Sequence, residues 1–436
     1  CVSLRCGALG GVCRDHADDQ LGNQAPTAGR GAVILQSAAL AERRRDVRVM
    51  GVVGMCHFFS HFYQFVLPPL SILIHQSEGY SIESLAILVS IFYGASFALQ
   101  LPVGFFVDRF GARNILMAGV VILAACTLLY GVFTSYLALV FLTIIAGAAN
   151  SVFHPADYSI LNASVKSERL GRAFSVHNFA GFAGYGLAPV LVAWLGSLWG
   201  WQTASIVTGA VGLFFVFFVF ALSRDFQDSS DTRRDEGRPS SLSDDLKTLM
   251  QGPLLLCLLF FALLAAGQLG AQWFADDVLH IGHGIPVIEG NSYVTIFVVG
   301  ISIGIIMGGI AADRSANHIR LASIGFVACG IGTTSMGLAP PQAEYLYPLF
   351  AVTGFLFGFG FASRDLLVRS LAPKGASGAV FGFVFSGLDI GSMSIPLVYG
   401  YFLGVGMEFY VFYLGGTLIV LAAGMIGAAG KKAAQA

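Results

Sequence analysis

His57, His61 and Gln64 stand at steps of four and three inside an otherwise apolar stretch, and Asn150, His154 and Asp157 repeat the spacing later in the chain. Such steps place three side chains on one helix face. Groups of this kind are costly at membrane depth unless paired or wetted, so they belong on a bundle interior. His177, Asn178 and Tyr185 interrupt a further apolar run, followed by Gln268 with Gln272, Arg364 with Asp365, and Asp389. Three chemistries fit: lining of a solute cavity, proton transfer and metal ligation. Two histidines one turn apart can share a metal, but no acid adjoins His57 and His61 in sequence, so no metal site is assigned. His57, His61, Gln64, Asn150, His154, His177, Asn178, Gln268, Gln272 and Arg364 are expected to line a substrate cavity. Asp157 and Asp389 are the acids expected to couple protons, because a carboxylate isolated within a span is suited to cyclic protonation. A pair between Asp157 and Arg364 would hold that acid ionised and leave Asp389 the better carrier; alternatively His154 relays to Asp157, or Arg364 simply stands at the inner interface with Asp365 and Arg369.

These side chains must be carried by membrane spans. Hydrophobic residues make up 56% of the 436 and charged ones 11%, with 54 glycines, a composition that excludes a soluble domain. Residues 114–156 carry no charge, and since about 20 residues cross a bilayer they must hold two spans, broken at Thr134-Ser135-Tyr136. Residues 173–223 divide likewise at Gly196 to Trp201, whose tryptophans suit an interface. The same reasoning predicts twelve helices, near 49–74, 83–107, 113–133, 136–162, 169–196, 201–222, 252–275, 289–311, 319–339, 344–370, 376–403 and 408–430. The fold class is therefore all-α integral membrane protein.

Basic residues test that count. Arg43, Arg44, Arg45 and Arg48, then Arg109 and Arg113, then Lys166, Arg169 and Arg172, the stretch from Arg224 to Lys247, Arg314 and Arg320, Arg364, Arg369 and Lys374, and finally Lys431 and Lys432 all fall on one side. By the positive-inside rule this side, with both termini, is cytoplasmic. Residues 1–42 read as a disordered tail or an over-extended frame without a cleavable signal, 43–222 as a first six-helix bundle, 223–251 as a cytoplasmic linker and 252–436 as a second bundle. Within the linker, Leu242, Leu246 and Leu249 could share the apolar face of a surface helix. Cys56, Cys126, Cys257 and Cys329 sit singly in apolar runs as packing groups, and Cys1, Cys6 and Cys13 lack the paired spacing of a zinc site.

Two polar loops punctuate the spans at matching places. One is Gly104-Phe-Phe-Val-Asp108-Arg109-Phe-Gly111-Ala-Arg113; the other is Gly309-Ile-Ala-Ala-Asp313-Arg314, followed by His318 and Arg320. They resemble the signature loops between helices 2 and 3 and between 8 and 9 of the major facilitator superfamily. That resemblance implies two pseudo-symmetric six-helix bundles and a role for these loops as conformational switches. Asp108 would cap the start of the eleventh span near Gly375-Ala376-Ser377 and pair with Arg113, and Asp313 would do likewise with the fifth span near Glu168-Arg169. A shift of 207 residues supports the two halves, carrying Gly147 onto Gly354, Gly171 onto Gly378, Phe174 onto Phe381, Gly184 onto Gly391 and Pro189 onto Pro396. The run from His57 to Pro69, with Ser151 to Pro155 and Gly181 to Pro189, resembles the fosmidomycin-resistance branch of that superfamily. The glycine-rich, proline-ended fifth span is similar to the antiporter motif of efflux members without its full ending.

The expectation that follows is a secondary transporter working by alternating access, exporting a small organic molecule, anionic or amphiphilic, in exchange for protons. Uptake of a small organic anion such as a carboxylate is the alternative, with a non-transporting sensor or a membrane-embedded enzyme built on the histidines as further rivals. No cofactor is expected. No Gly-x-x-x-x-Gly-Lys-Ser/Thr stretch occurs, which argues against ATP hydrolysis. The partners expected are the solute, protons and the lipid bilayer, without nucleic acid, for a monomer in the inner (plasma) membrane.

Overall fold

The computed structural model describes residues 25–433 apart from 225, 229, 231–241, 341 and 374. The basic residues at 231–241, Lys374 and the first 24 residues therefore lie outside it. Contacts divide the chain into 1–47 and 48–436. In the first unit the described residues are helical from Ala25, although composition predicts an irregular tail over 1–42. The run from Leu35 to Arg48 is rich in Ala, Leu, Glu and Arg, which lose little on entering a helix.

In chain order the α-helices are α1 (Ala25–Gln64), α2 (Leu67–Glu78), α3 (Ile82–Phe110), α4 (Ala112–Tyr130), α5 (Tyr136–Asn150), α6 (Phe153–Ser164), α7 (Leu170–Leu222), α8 (Leu242–Leu249), α9 (Gly252–Trp273), α10 (Ala275–His283), α11 (Val287–Arg314), α12 (His318–Met336), α13 (Ala343–Phe359), α14 (Phe361–Leu371), α15 (Ser377–Gly404) and α16 (Tyr410–Ala433). Ten stretches among the described residues are long and apolar enough to cross a membrane. The stretch Ser167–Leu222 holds two crossings, because Gly200 at φ +81° breaks α7 in the turn expected between the fifth and sixth spans. With the first crossing, shared by α1 and α2, the total is twelve.

Three expected spans are broken rather than continuous. The first breaks at Phe65-Val66, since Pro68 and Pro69 lack N–H donors and fit only the first turn of a new helix. Pro155, unable to donate to the Ser151 carbonyl, divides the fourth span into α5 and α6. The tenth breaks at Gly360, close to the equivalent place, giving α13 and α14. Of the two tryptophans expected at an interface, Trp199 is exposed but Trp201 is buried and donates Nε1–H to Ser77 Oγ at 2.8 Å. In α8, Leu249 is buried and Leu246 exposed.

The repeat glycines show why the halves are pseudo-symmetric. A Cβ on Gly147 would overlap the carbonyl oxygen of Phe92, and one on Gly354 would overlap that of Phe297, an equivalent position in the other half. Backbone-to-backbone approach of this kind is what small residues permit between membrane helices. Residues 48–436 form one compact unit, in which α3 packs on α15 and α7 on α11 across the halves.

Candidate substrate cavity and conformational hinge

At the end carrying the basic residues, the Asp108 and Asp313 loops each bond across to the opposite half. Asp108, 1% exposed, accepts from the backbone N–H of Gly378 through Oδ1 and of Ala379 through Oδ2, each at 2.8 Å. This carboxylate thus caps the start of α15, where unpaired N–H groups and the helix dipole favour negative charge. Asp313 accepts from the Gly171 N–H at 2.7 Å and forms an ion pair with Arg172 Nε at the start of α7. Glycines make the approach feasible: a Cβ on Gly104 would stand 2.6 Å from the Gly378 carbonyl oxygen, and one on Gly171 would stand 2.9 Å from that of Gly309. Gly111, at φ +96°, turns the chain from α3 into α4. Arg113, expected beside Asp108, instead directs Nε to the carbonyl and hydroxyl oxygens of Ser223, both at 3.0 Å, and tethers the third span to the end of the sixth. The linker also docks here, with Asp228 accepting from the Ala112 N–H at 2.6 Å. Arg109 and Arg314 occupy the last turns of α3 and α11, as the loops require.

Above the clamp, side chains of both halves enclose a cavity of about 200 Å³. Every side chain expected there from sequence lines it except His177: His57, His61 and Gln64 from α1, Asn150 and His154 flanking the break in the fourth span, Asn178 from α7, Gln268 and Gln272 from α9, and Arg364 from α14. Asp389 lines it too. Gln64 knits the first half, accepting from Tyr185 Oη at 2.8 Å and donating to Asn150 Oδ1 at 3.2 Å, while Asn150 donates to Ser96 Oγ at 3.1 Å. Gln268 donates to Gln272 one turn on. Tyr93, Gln100, Phe65 and Trp273 also line the cavity. Gln100 and Tyr93 could have been found as polar interruptions of the second span; the aromatic pair, with ring centroids 6.1 Å apart, carried no such signal.

The ionisable groups sort into two clusters. Arg364, 3% exposed, donates through Nε to Asp365 Oδ1 at 3.1 Å, with its guanidinium 3.8 Å from the centre of the Phe361 ring. Asp365 Oδ2 accepts from Tyr158 Oη at 2.8 Å and Asn178 Nδ2 at 2.9 Å, so this carboxylate joins the two halves. Asp157 lies elsewhere: His177 Nε2 is hydrogen-bonded with its Oδ2 at 3.1 Å and His57 Nδ1 is 3.2 Å from the same oxygen. The possible pair between Asp157 and Arg364 is therefore replaced by two separate pairings, because Asp365, one residue along the same helix, takes the guanidinium. Asp389 Oδ2 is buried without a hydrogen-bond partner.

Residues 53–288 match the Major Facilitator Superfamily model, and the chain belongs to that superfamily. Its members are transporters and not enzymes. Among characterised relatives, the D-galactonate transporter of Escherichia coli O6:H1 is 24% identical over 358 residues, covering 75% of this chain and 82% of the relative. The fosmidomycin resistance protein of Escherichia coli K12 is 21% identical over 371 residues, covering 83% and 89%. A bacterial homologue of the iron transporter ferroportin, solved in an outward-facing state, superposes with a TM-score of 0.71 at 16% identity, covering 89% of this chain and 99% of that one, and shows the shared fold.

Proposed function

We propose that this protein exports a small organic anion in exchange for protons, by rocking of its two halves about the central cavity. The observation that carries this reading is the cavity itself, which sets the Arg364 guanidinium and six amide side chains against Asp389, an acid with an unpartnered oxygen. Arginine is suited to planar carboxylate recognition, and amides supply directional contacts to hydroxyl or acid oxygens. Asp389 carries the proton, while Asp157 is engaged with His177 and His57. The resistance-protein relative and the glycine-rich fifth span support export. The D-galactonate relative supports the second reading, uptake of a carboxylate by symport. The clustering of basic residues supports cytoplasmic termini in the inner membrane, and the chain acts as a monomer.

The test uses the purified protein in liposomes with a pH gradient, and D-galactonate and fosmidomycin as probes. Exchange against protons concentrates a solute on the acidic side; symport concentrates it on the alkaline side. Movement of neither probe in response to the gradient would contradict both readings.

A further inference from the structure

Four imidazoles from three spans converge at the cavity floor. The His57 ring stacks on His177 with centroids 3.7 Å apart at 24°, stands 4.3 Å from His61 and 5.1 Å from His154. One ring nitrogen from each of His57, His154 and His177 lies within 4.8 Å of the other two. His57 and His177 are nearly inaccessible, and the Nδ1 atoms of His154 and His177 are buried without a hydrogen-bond partner. Close stacking with lone pairs aimed at nothing is unfavourable for bare imidazoles, since a buried acceptor loses its water.

We propose that His57, His154 and His177, oriented by the Asp157 carboxylate, bind a divalent first-row transition-metal cation such as zinc at the floor of the cavity. The inference stands apart from anion transport and concerns a second ligand of the same cavity.

The donor set selects this class of ion. Neutral imidazole nitrogens suit zinc, nickel, cobalt and copper, whereas magnesium and calcium require oxygen ligands. Asp157 occupies the place of the carboxylate that orients metal-bound histidines: with Nε2–H of His177 donated to Oδ2, Nδ1 of that ring is left as the acceptor. Bonds of about 2.1 Å set tetrahedral ligand atoms roughly 3.4 Å apart, so the three nitrogens must draw together by about 1.4 Å at most. Of the three rings His154 is the one that both faces the cavity and stacks on the other half, against Phe385 with centroids 4.6 Å apart at 27°, so a relative shift of the halves moves it with respect to His57 and His177. The fourth position opens to the cavity, where water or an acid oxygen of a solute completes the shell. A divalent ion there also compensates the Asp157 carboxylate, 0% exposed, which otherwise relies on two imidazoles.

The experiment titrates the full-length, tag-free protein in detergent with zinc and follows stoichiometry and thermal stability, with magnesium as the comparison. One equivalent of zinc should bind and raise the melting temperature, and magnesium should not. His154→Gln and His177→Gln should each weaken zinc binding by about tenfold or more, and Asp157→Asn by about 10 to 100-fold. X-ray absorption of the zinc-loaded wild type should show a shell of about three imidazole nitrogens, which decides the matter even where a variant fails to fold. Wild-type affinity in both histidine variants, or a shell dominated by the sulfur of Cys1, Cys6 and Cys13, would overturn the proposal.

Discussion

Asp389→Asn should abolish pH-driven accumulation of the transported solute while preserving exchange of labelled for unlabelled solute at equal pH. The substitution keeps the size and shape of the side chain and removes only its capacity to gain and lose a proton. Because Asp389 Oδ2 has no hydrogen-bond partner, no structural contact at that oxygen is forfeited. The carboxylate faces the same cavity as Arg364, so proton and anion would use one compartment, and occupancy of one biases occupancy of the other. Accumulation by Asp389→Asn at the wild-type level, measured in liposomes with a pH gradient, would remove this residue from the coupling scheme.

Asp365→Ala should be the most destabilising single change at the cavity, by about 3–5 kcal/mol, because it strips a buried guanidinium of its counter-charge. Tyr158 and Asn178 also lose their shared acceptor, and both belong to the opposite half. The loss is read as a fall in melting temperature of the purified protein. Replacing both partners, Arg364→Leu with Asp365→Leu, should recover the part of that stability due to the lone buried charge, while Tyr158 stays without its acceptor. Transport should stay lost in the double variant if Arg364 binds the anion. Recovery of transport along with stability would reduce the arginine to a structural role.

The caps that Asp108 and Asp313 place on helices of the opposite half are legible in the sequence because their signals are local. Asp108 and Asp313 stand four residues after Gly104 and Gly309, and the repeat glycines mark helix crossings that admit no Cβ. The polar faces were equally legible, since steps of three and four define a side of one helix. Partnership across helices was not. The acid for His57 comes from α6, far along the chain, so the absence of a neighbouring carboxylate in sequence said little about its surroundings. The choice between Asp157 and Asp365 for Arg364 turns on which way α14 faces after the break at Gly360, a rotation that periodicity does not encode. That Trp201 turns inward while Trp199 stays exposed was hidden for a similar reason: indole suits both an exposed surface and a buried site with one acceptor, and here Ser77 supplies that acceptor.

In the proposed cycle one cavity is reached alternately from the two sides of the membrane, and the Asp108 clamp, bonded to Gly378 and Ala379, holds the inner side shut. The most direct measurement places a single cysteine at Gln268, which lines the cavity, in a background freed of the seven natural cysteines. Labelling with an impermeant thiol reagent is compared from the outer and the inner face, with Ser135→Cys and Ser315→Cys as the controls for each. Gln268→Cys should react from outside in the parent, and adding Asp108→Asn should shift its reactivity toward the inside. Reactivity from one face alone, unchanged by Asp108→Asn, would contradict alternating access at this cavity.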